Sequence, residues 1–249
     1  MRDGDGWQLF GQKHFISDGE FSDFFIVSAV TDLAARPKHV SLFLVDRDLP
    51  GLTLGRNQPM MGLTGTSHVE LFFDGVRLGR EHLLGVEGHG LALAYATLSR
   101  VRLAQVGARA VGKACRLATL MTNYANERQQ FGTPIGEFQM IQQMIADSVI
   151  EINAARLLLL HAAWQIDRGR NARDLISMVK IEAAETLGRV ADRAVQIFGG
   201  MGYCKELPIE RLYRDARIYR IFDGTSEIHR TVVARSALKR GATMWDIGA

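Results

Sequence analysis

The chain is poor in cysteine and lysine and contains no long apolar run. Its two cysteines, Cys115 and Cys204, show no metal-site spacing and require no disulfide, so a reducing compartment fits. No apolar stretch approaches the length of a membrane span. The opening residues, MRDGDGWQLF, lack the apolar core of a signal peptide, so we expect no secretory leader.

Lysine accounts for only six of the 30 basic residues, and the other 24 are arginines. The formal net charge of +3 is spread along the chain, so it does not indicate a nucleic-acid-binding protein. Arginine makes planar contacts with carboxylates and phosphates, so an anionic ligand and a plain surface bias both remain open. A composition of 47% hydrophobic and 23% charged residues is that of a globular protein with a sizeable core.

The first part of the chain has the pattern of a mainly antiparallel β-domain. Short apolar stretches separated by turn residues predict strands at 24–30, 39–45, 52–56 and 68–78. The pair Asp74-Gly75 predicts a tight turn. The pattern changes near residue 86, so we assign residues 1–85 to a partial β-domain and residues 86–249 to a helical bundle.

Residues 86–249 carry helical periodicity, and long helices with short links predict a bundle. A first segment covers 90–126. The second helix should begin at Thr133-Pro134, a capping residue followed by proline, and carry Ile141, Ile145, Val149 and Ile152 on one face. The further predicted helices are 172–198, which should stop at Gly199-Gly200, a short one after Pro208, and 225–239.

Single residues allow two interpretations each. In the segment RIYRIFDGTSEIHR (217–230), Asp223 could remove a proton from a substrate or simply cap the last helix. Arg128 suits the end of a long helix. Gly199 and Gly200 form a helix stop whose backbone could also approach a phosphate, and Arg102 has the pattern of a surface or ion-paired residue.

Three motifs change this picture when taken together: GQKHFIS (11–17), NERQQFGTPIGEFQMIQ (126–142) and AVQIFGGMGYCKELPIERLYRDARIYRIFDGTSEIHR (194–230). In order and spacing they closely resemble the acyl-CoA dehydrogenase family of flavoproteins, over about residues 7–238. The resemblance implies an α+β fold, a β-domain followed by a four-helix bundle that also builds a dimer or tetramer. It implies FAD held between subunits, an acyl-CoA substrate, electron-transfer flavoprotein as acceptor, and a bacterial cytoplasm or mitochondrial matrix.

The resemblance also assigns residues to FAD. Phe15, Ile16 and Ser17 match the Trp-Ile-Thr segment beside the flavin, with Phe in place of Trp. Arg128 and Gln139 match positions that reach the FAD of a neighbouring subunit. The other positions matched to FAD contacts are Gln196, Ile197, Phe198, Gly199, Gly200, Thr225, Ser226 and Glu227.

Asp223 matches the family's catalytic Glu, which removes a proton α to a thioester carbonyl while a hydride leaves the β carbon for the flavin. Such a base needs a pocket that raises its pKa toward the working range. Asp is one methylene shorter, although some superfamily relatives use Asp here. We expect Thr225, and not Asp223, to cap the last helix, and Gly224 to allow close approach of the thioester. The segment matched to acyl-CoA contacts is Ser99, Arg100, Val101 and Arg102, and Val101 cannot act as a base.

The family's N-terminal helical domain and its first β-domain segment, a flavin-contacting loop, have no counterpart in the sequence. We therefore expect uncovered sheet edges and weak or no FAD binding by the isolated chain. A fragment, a misplaced start and one subunit of a split enzyme all fit. The alternatives are a superfamily flavin oxidase that uses an Asp base, and a non-catalytic subunit that completes a partner's FAD site. A DNA-associated relative is disfavoured because no basic cluster is present.

Overall fold

A computed structural model of the chain describes residues 1–245, without the side chains of Ser99, Met244 and Trp245. The chain divides into two compact units, Met1–Leu98 and Ser99–Ala249. The first is built mainly of strands and the second of helices, which confirms the α+β fold class. The boundary between residues 85 and 86 stays a prediction. No described helix is both long and apolar enough to cross a membrane.

The β unit contains two antiparallel sheets, with strand orders β1-β2-β6-β5 and β3-β4-β7. Each of the four predicted strands is present, whereas the long β2 was not predicted because polar residues and irregular pairing interrupt its alternation. The strands are β1 Arg2–Asp3, β2 Gly6–Ser17, β3 Phe24–Asp32, β4 His39–Asp46, β5 Leu52–Asn57, β6 His68–Leu78 and β7 Leu83–Leu84.

Alternating side chains of the strands fill the core of the β unit. Phe43 and Val45 on β4 are buried, as are Val69 and Leu71 on β6. Trp7 lies edge-on to Phe43, with ring centroids 5.0 Å apart. Burial of each such side chain contributes roughly 1.5–3 kcal/mol, so this core accounts for the stability of the unit.

The prediction of a turn at Asp74-Gly75 is wrong, because both residues lie inside β6. Opposite them, Leu9 pairs with Val76 and Phe10 with Asp74, so Gly75 is the extra residue of a β-bulge. Gly75 has φ +69°, a conformation that suits glycine. The same dipeptide therefore bends a strand where a tight turn was expected.

The open strand edges of the β unit, within the described chain, include those of β2 and β3. β1 covers only the first residues of β2, and β3 pairs with β4 alone. Two open grooves of about 710 and 410 Å³ run beside these strands, and Lys13 and Ser28 line both. Exposed apolar side chains such as Phe24 and Ile26, which are 53% and 60% exposed, follow the same edge. The uncovered edges expected from the sequence are present.

The described part of the chain contains seven α-helices and a short hairpin. The first helix, α1, spans the boundary between the two units. The helices are α1 Gly90–Val101, α2 Arg109–Glu127, α3 Gln139–Asp167, α4 Arg173–Phe198, α5 Gly200–Tyr203, α6 Ile209–Arg217 and α7 Ser226–Arg240. The hairpin is formed by β8 Gln129–Gln130 and β9 Thr133–Pro134. The predicted helix start at Thr133-Pro134 is therefore wrong: these residues pair with β8, and a 3₁₀ turn at Ile135–Glu137 precedes α3.

Helix α4 lies at the centre of the bundle and packs against α2, α3, α6 and α7. Small and apolar residues at helical spacing make this packing close, among them Ala184, Leu187 and Ala191, each at most 1% exposed. Its end at Phe198 and its cap by Gly199 confirm the predicted stop. Val149 of α3 is an exception to the predicted inner face, because it is 46% exposed.

The helical signal predicted over 90–126 is not one regular helix. A π-helix, Arg102–Ala108, separates α1 from α2. The backbone N–H of Arg109 donates to the carbonyl of Ala104, five residues earlier, which is the hydrogen-bond spacing of a π-helix. Its position was not predicted, because Leu103, Ala104 and Gln105 are ordinary helix formers and the single Gly107 does not distinguish a π-helix from an α-helix.

Candidate active site at the start of the last helix

The turn before α7 presents the carboxylate of Asp223. Asp223 is half-buried, with a backbone φ of +54°, a left-handed conformation that costs a non-glycine residue about 1 kcal/mol. Its carboxylate has no hydrogen bond or ion pair within the described part of the chain. The side chain is therefore available for proton transfer.

The main-chain carbonyl of Asp223 accepts two side-chain hydrogen bonds. Nε of Arg102 donates at 2.8 Å and Nε2 of His229 at 3.1 Å. These two donors come from the π-helix and from α7, and they hold a peptide whose conformation is unfavourable by itself. The sequence assigned Arg102 to the acyl-CoA; the structure places its guanidinium at the Asp223 carbonyl, and the contact with a substrate stays a prediction.

His229 is 6% exposed, and its second ring nitrogen, Nδ1, lies 3.0 Å from Oγ of Ser177 on α4. Burial lowers the pKa of His229, and the positive charges of Lys180 and Arg102 lower it further. The carbonyl of Asp223 acts in the opposite direction without reversing the shift. The ring is therefore neutral at pH 7.

Lys180 lies one helical turn beyond Ser177 on α4. Its side chain is fully buried, and its Nζ has no hydrogen-bond partner among the described residues. Burial lowers the pKa of Lys180 to about 8, although the negative charges of Glu227, Asp223 and Glu185 favour the ammonium form. A buried ammonium without a partner thus faces the acidic residues of the turn and of α7.

Thr225 caps α7, as the sequence predicts. Its Oγ1 accepts the backbone N–H of Ile228 at 3.3 Å, so Asp223 is not needed as a cap. The carboxylate of Glu227 accepts its own backbone N–H and the Thr225 hydroxyl, and these bonds hold the pKa of Glu227 below its usual value. Ser226 is buried, and its Oγ lacks a partner among residues 1–245.

The residues matched to FAD fall into two groups by exposure. Arg128, Gln139 and Gln196 are exposed, as are Gly199 and Gly200, where an added Cβ would meet no atom within 4 Å. Phe131, beside Arg128, is 96% exposed and also has positive φ. Open backbone and an exposed aromatic ring fit a flat ring ligand and its phosphates.

Ile197 and Phe198 belong to the second group, because their side chains are buried in the bundle core. The Phe198 ring stacks on Tyr124, with centroids 4.2 Å apart. Ile197 and Phe198 are only 4% and 7% exposed, so neither side chain is available to a ligand. Together with the unpartnered Ser226 hydroxyl, the exposed group fits a bound FAD.

Phe15, Ile16 and Ser17 are the residues of the β unit that the resemblance matches to FAD. The pairing of β2 with β6 slips between Lys13 and Ile16, and Phe15 takes φ +58°. The bulge leaves the Phe15 ring 62% exposed. An outward aromatic ring is what the resemblance requires of the residue beside a flavin.

In the segment matched to acyl-CoA, Arg100 and Val101 are exposed at the end of α1. The side chain of Ser99 lies outside what the structure describes. Gly224 has φ +92°, and an added Cβ there would lie 3.0 Å from Nε2 of His229. A side chain at this position would be strained and crowded, so glycine keeps the turn beside Asp223 narrow.

Sequence reasoning did not identify His229, Ser177 or Lys180. Each resembles an ordinary helix residue, and their proximity to Asp223 arises from the packing of α4 against α7. The only available signal was the position of His229 within the segment that also contains Asp223.

Comparison with known proteins follows the same division. Residues 1–76 match the family model of the acyl-CoA dehydrogenase middle domain, and residues 88–238 match the model of the acyl-CoA dehydrogenase C-terminal domain. The chain is 39% identical over 242 residues to cyclohexane-1-carbonyl-CoA dehydrogenase of Geobacter metallireducens, covering 97% of the chain and 63% of that protein.

Two further comparisons agree. Human mitochondrial short-chain specific acyl-CoA dehydrogenase is 38% identical over 237 residues, covering 95% of the chain and 57% of that protein. Butyryl-CoA dehydrogenase from Megasphaera elsdenii superposes with a TM-score of 0.90 at 35% identity, covering 95% of the chain and 62% of that structure. The chain spans about three-fifths of the length of these relatives. With both domains matched, the chain belongs to the acyl-CoA dehydrogenase family.

Proposed function

We propose that the chain carries the base and part of the FAD site of an acyl-CoA dehydrogenase, which oxidises the α,β carbon–carbon bond of an acyl-CoA thioester. The observation that carries the proposal is the Asp223 carboxylate, free of partners among the described residues, on a left-handed turn held by two donors. Because Thr225 caps α7, the Asp223 carboxylate is not needed as a helix cap.

In the proposed reaction the Asp223 carboxylate takes the α proton of the substrate. The C–H electron pair becomes part of the new carbon–carbon double bond, and FAD supplies the acceptor for the hydride that leaves the β carbon. Arg102 and His229 hold the Asp223 carbonyl and with it the left-handed turn. The backbone N–H of Asp223 would donate to the thioester oxygen. Gly224 leaves room for the thioester beside the base.

FAD would be held by Arg128 and Gln139 from a neighbouring copy and by the segment 196–200, and the resemblance assigns Phe15–Ser17 and Thr225–Glu227 to the same cofactor. The exposure of Arg128, Gln139 and Gln196 supports this assignment. Electron-transfer flavoprotein as acceptor, and a bacterial cytoplasm or a mitochondrial matrix as location, follow from the family.

Assembly into a dimer or tetramer is part of the proposal. Helix α3 has two apolar sides: Ile152, Ala155 and Ala162 are buried in the bundle, whereas Leu157 and Leu160 are 68% and 54% exposed. A second apolar side on a long helix is typical of an interface between subunits.

The free edges of β2 and β3 favour a second reading, a chain that completes its site together with a partner polypeptide. Unpaired strand edges beside apolar grooves accept an added strand. In this reading the flavin loop comes from the partner, and the chain supplies Asp223 and the helical contacts. Co-purification of FAD only when the partner is present would distinguish it from an enzyme of one chain.

Substitution of Asp223 tests the proposed function. FAD-loaded protein should lose its 450 nm flavin absorbance on anaerobic addition of acyl-CoA thioesters of short to long chain. Asp223→Asn should keep fold and FAD content and reduce its flavin at least about 100-fold more slowly, because the amide cannot accept the α proton. Asp223→Glu, which restores the family's residue, should retain activity if the pocket admits one more methylene.

Two outcomes would contradict the assignment. Asp223→Asn protein that is reduced by acyl-CoA as fast as the parent would show that another group is the base. A flavin that is reduced by nitroalkanes or other carbon acids and rapidly reoxidised by oxygen, but is not reduced by any acyl-CoA, would favour the oxidase alternative. Asn171→Asp, an exposed amide–carboxylate exchange between α3 and α4 that keeps the acceptor of the Arg173 backbone N–H, is a control with no expected effect.

A further inference from the structure

We infer that His229, oriented by Ser177, is a positioning residue for Asp223: its Nε2–H holds the Asp223 carbonyl, so the left-handed turn and the direction of the carboxylate stay fixed. The two contacts, 3.1 Å to the carbonyl and 3.0 Å to Ser177 Oγ, carry the inference. It rests on the proposed function, because it assigns a task within the proposed proton transfer.

The hydrogen bonds determine which ring nitrogen carries the proton. A carbonyl oxygen only accepts, so Nε2 of His229 must donate to Asp223. In the neutral ring Nδ1 is then an acceptor, to which the Ser177 hydroxyl can donate at 3.0 Å. The same hydroxyl has a second acceptor in the Arg173 carbonyl, 3.1 Å away. The Asp223 carbonyl therefore selects the Nε2–H tautomer, and Ser177 supports that tautomer when its hydrogen turns to Nδ1.

The surroundings of His229 keep the ring neutral and in place. Arg102 from the π-helix and Lys180 from α4 bring positive charge to it, while the Asp223 carboxylate faces it from the turn. On its own helix, Glu227 lies in the first turn and interacts with Lys180. Gly224 packs against the imidazole closely enough to exclude a side chain. The ring is thus fixed by a hydrogen bond at each nitrogen and by contact with the turn.

The first test reads the ring directly and needs no activity. In protein with ¹⁵N-labelled histidine, long-range ¹H–¹⁵N spectra report the tautomer of each imidazole, and His229→Gln identifies the His229 signals. We expect His229 to be neutral and protonated at Nε2 at pH 7, and to titrate below the ordinary histidine range. Ser177→Ala should shift the Nδ1 resonance, because the partner of this nitrogen is lost, while Nε2 keeps the proton that the Asp223 carbonyl accepts. An Nδ1–H ring in the parent, or titration with an ordinary pKa, would overturn the inference.

The second test reads the chemical step in the FAD-loaded enzyme. His229→Leu should slow flavin reduction by about 10- to 100-fold, because misplacement of a base reduces the rate steeply. The KM for acyl-CoA and the FAD content should not change. His229→Gln, which keeps a donor near the Nε2 position, should recover most of the rate. If His229 only stabilised the fold, His229→Leu and His229→Gln would not differ in rate alone. His161→Leu, a half-buried histidine on α3, is the matched control.

The two readouts separate the inference from the proposed function. If no acyl-CoA reduces the parent flavin, the proposed function fails, while the ¹⁵N spectra still decide whether the Ser177–His229–Asp223 contacts exist. If the parent is active and His229→Leu reacts at the parent rate, the inference fails and the proposed function stands.

Discussion

Among single residues, Lys180 pairs complete burial with a charge, and this combination lowers stability unless the charge is compensated. Its pKa of about 8 in the folded protein lies below the 10.5 of an ordinary lysine. Between these pH values the unfolded chain binds more protons, so the free energy of unfolding should rise from pH 8 to pH 10.5. Below pH 8 the full penalty applies.

Lys180→Met should therefore raise the free energy of unfolding at pH 7 by about 1–3 kcal/mol, because it removes the buried ammonium and keeps the volume. The difference from the parent should be constant below pH 8 and shrink toward pH 10.5. Urea unfolding at pH 7, 9 and 10.5 measures it, with the exposed Lys239→Met as control. A variant that is less stable than the parent at pH 7 would show that the neighbouring carboxylates already compensate the charge.

At this scale the sequence predicts residues whose local pattern carries a meaning. Thr225 was identified as the cap because Thr-Ser-Glu is a typical helix start, and the structure confirms it. The role of Asp223 as base stays a prediction, supported by its free carboxylate. His229 and Ser177 were not predicted, because the contact between residues 52 positions apart is a property of helix packing.

At the level of elements, α3 and α4 are joined by a charged network. Glu151 receives two hydrogen bonds from Arg193, each 3.0 Å, and one from Arg189, also 3.0 Å. Burial alone would raise the pKa of Glu151, but the bonds from Arg193 and Arg189 bring it below the usual value. A lowered carboxylate pKa stabilises the fold above the unfolded pKa and ceases to do so as the pH falls through the folded one.

Glu151→Gln should lower the free energy of unfolding by about 1–2 kcal/mol at pH 7, because it removes the charge-assisted bonds and the ion-pair partner of Arg193. The loss should diminish below pH 4.5, where the carboxylate of the unfolded parent is protonated. Chemical unfolding across this range is the measurement. Glu182→Gln, whose contact with Arg189 is 3.6 Å and 40% exposed, should change stability by less than about 0.5 kcal/mol. Equal losses in both variants would contradict the prediction.

The element boundaries show where local signals lead astray. Thr133-Pro134 has the sequence of a helix start but closes the β8–β9 hairpin, because its pairing with Gln129 and Gln130 competes with helix formation. In β6, Asp74-Gly75 has the sequence of a turn but forms a bulge, since pairing with β2 continues on both sides. Helix α4 was predicted within one residue, because its apolar periodicity and its glycine stop agree.

For the molecule as a whole, the exposed side of α3 predicts self-association. The parent should sediment as a dimer or tetramer at micromolar concentration. Leu157→Glu should weaken that assembly, because it places a charge on the apolar face. Leu238→Glu, an equally drastic change at an 87% exposed position on α7, should leave it intact. A monomeric parent in analytical ultracentrifugation would refute the prediction.

The family and the fold class followed from three motifs and a change of periodicity, because such patterns persist when individual residues change. The free edges of the β unit followed from the same resemblance, which named the missing segment. The assembly and the acyl-CoA contacts stay predictions from the resemblance, since they depend on surfaces that meet in space and not on the order of residues along the chain.

The π-helix Arg102–Ala108 has a consequence for how the site could arise and be altered. One extra residue in a helical turn rotates the side chains before it by about 100° around the helix axis, while the helix that follows keeps its orientation. Arg102 stands at the beginning of this segment, so its guanidinium reaches the Asp223 carbonyl in the phase that the extra residue sets. Removal of a single residue between 103 and 108 would leave α2 in the core and turn Arg102 to another side of the helix. The direction of the Asp223 peptide therefore depends on the number of residues in this segment as well as on which residues they are.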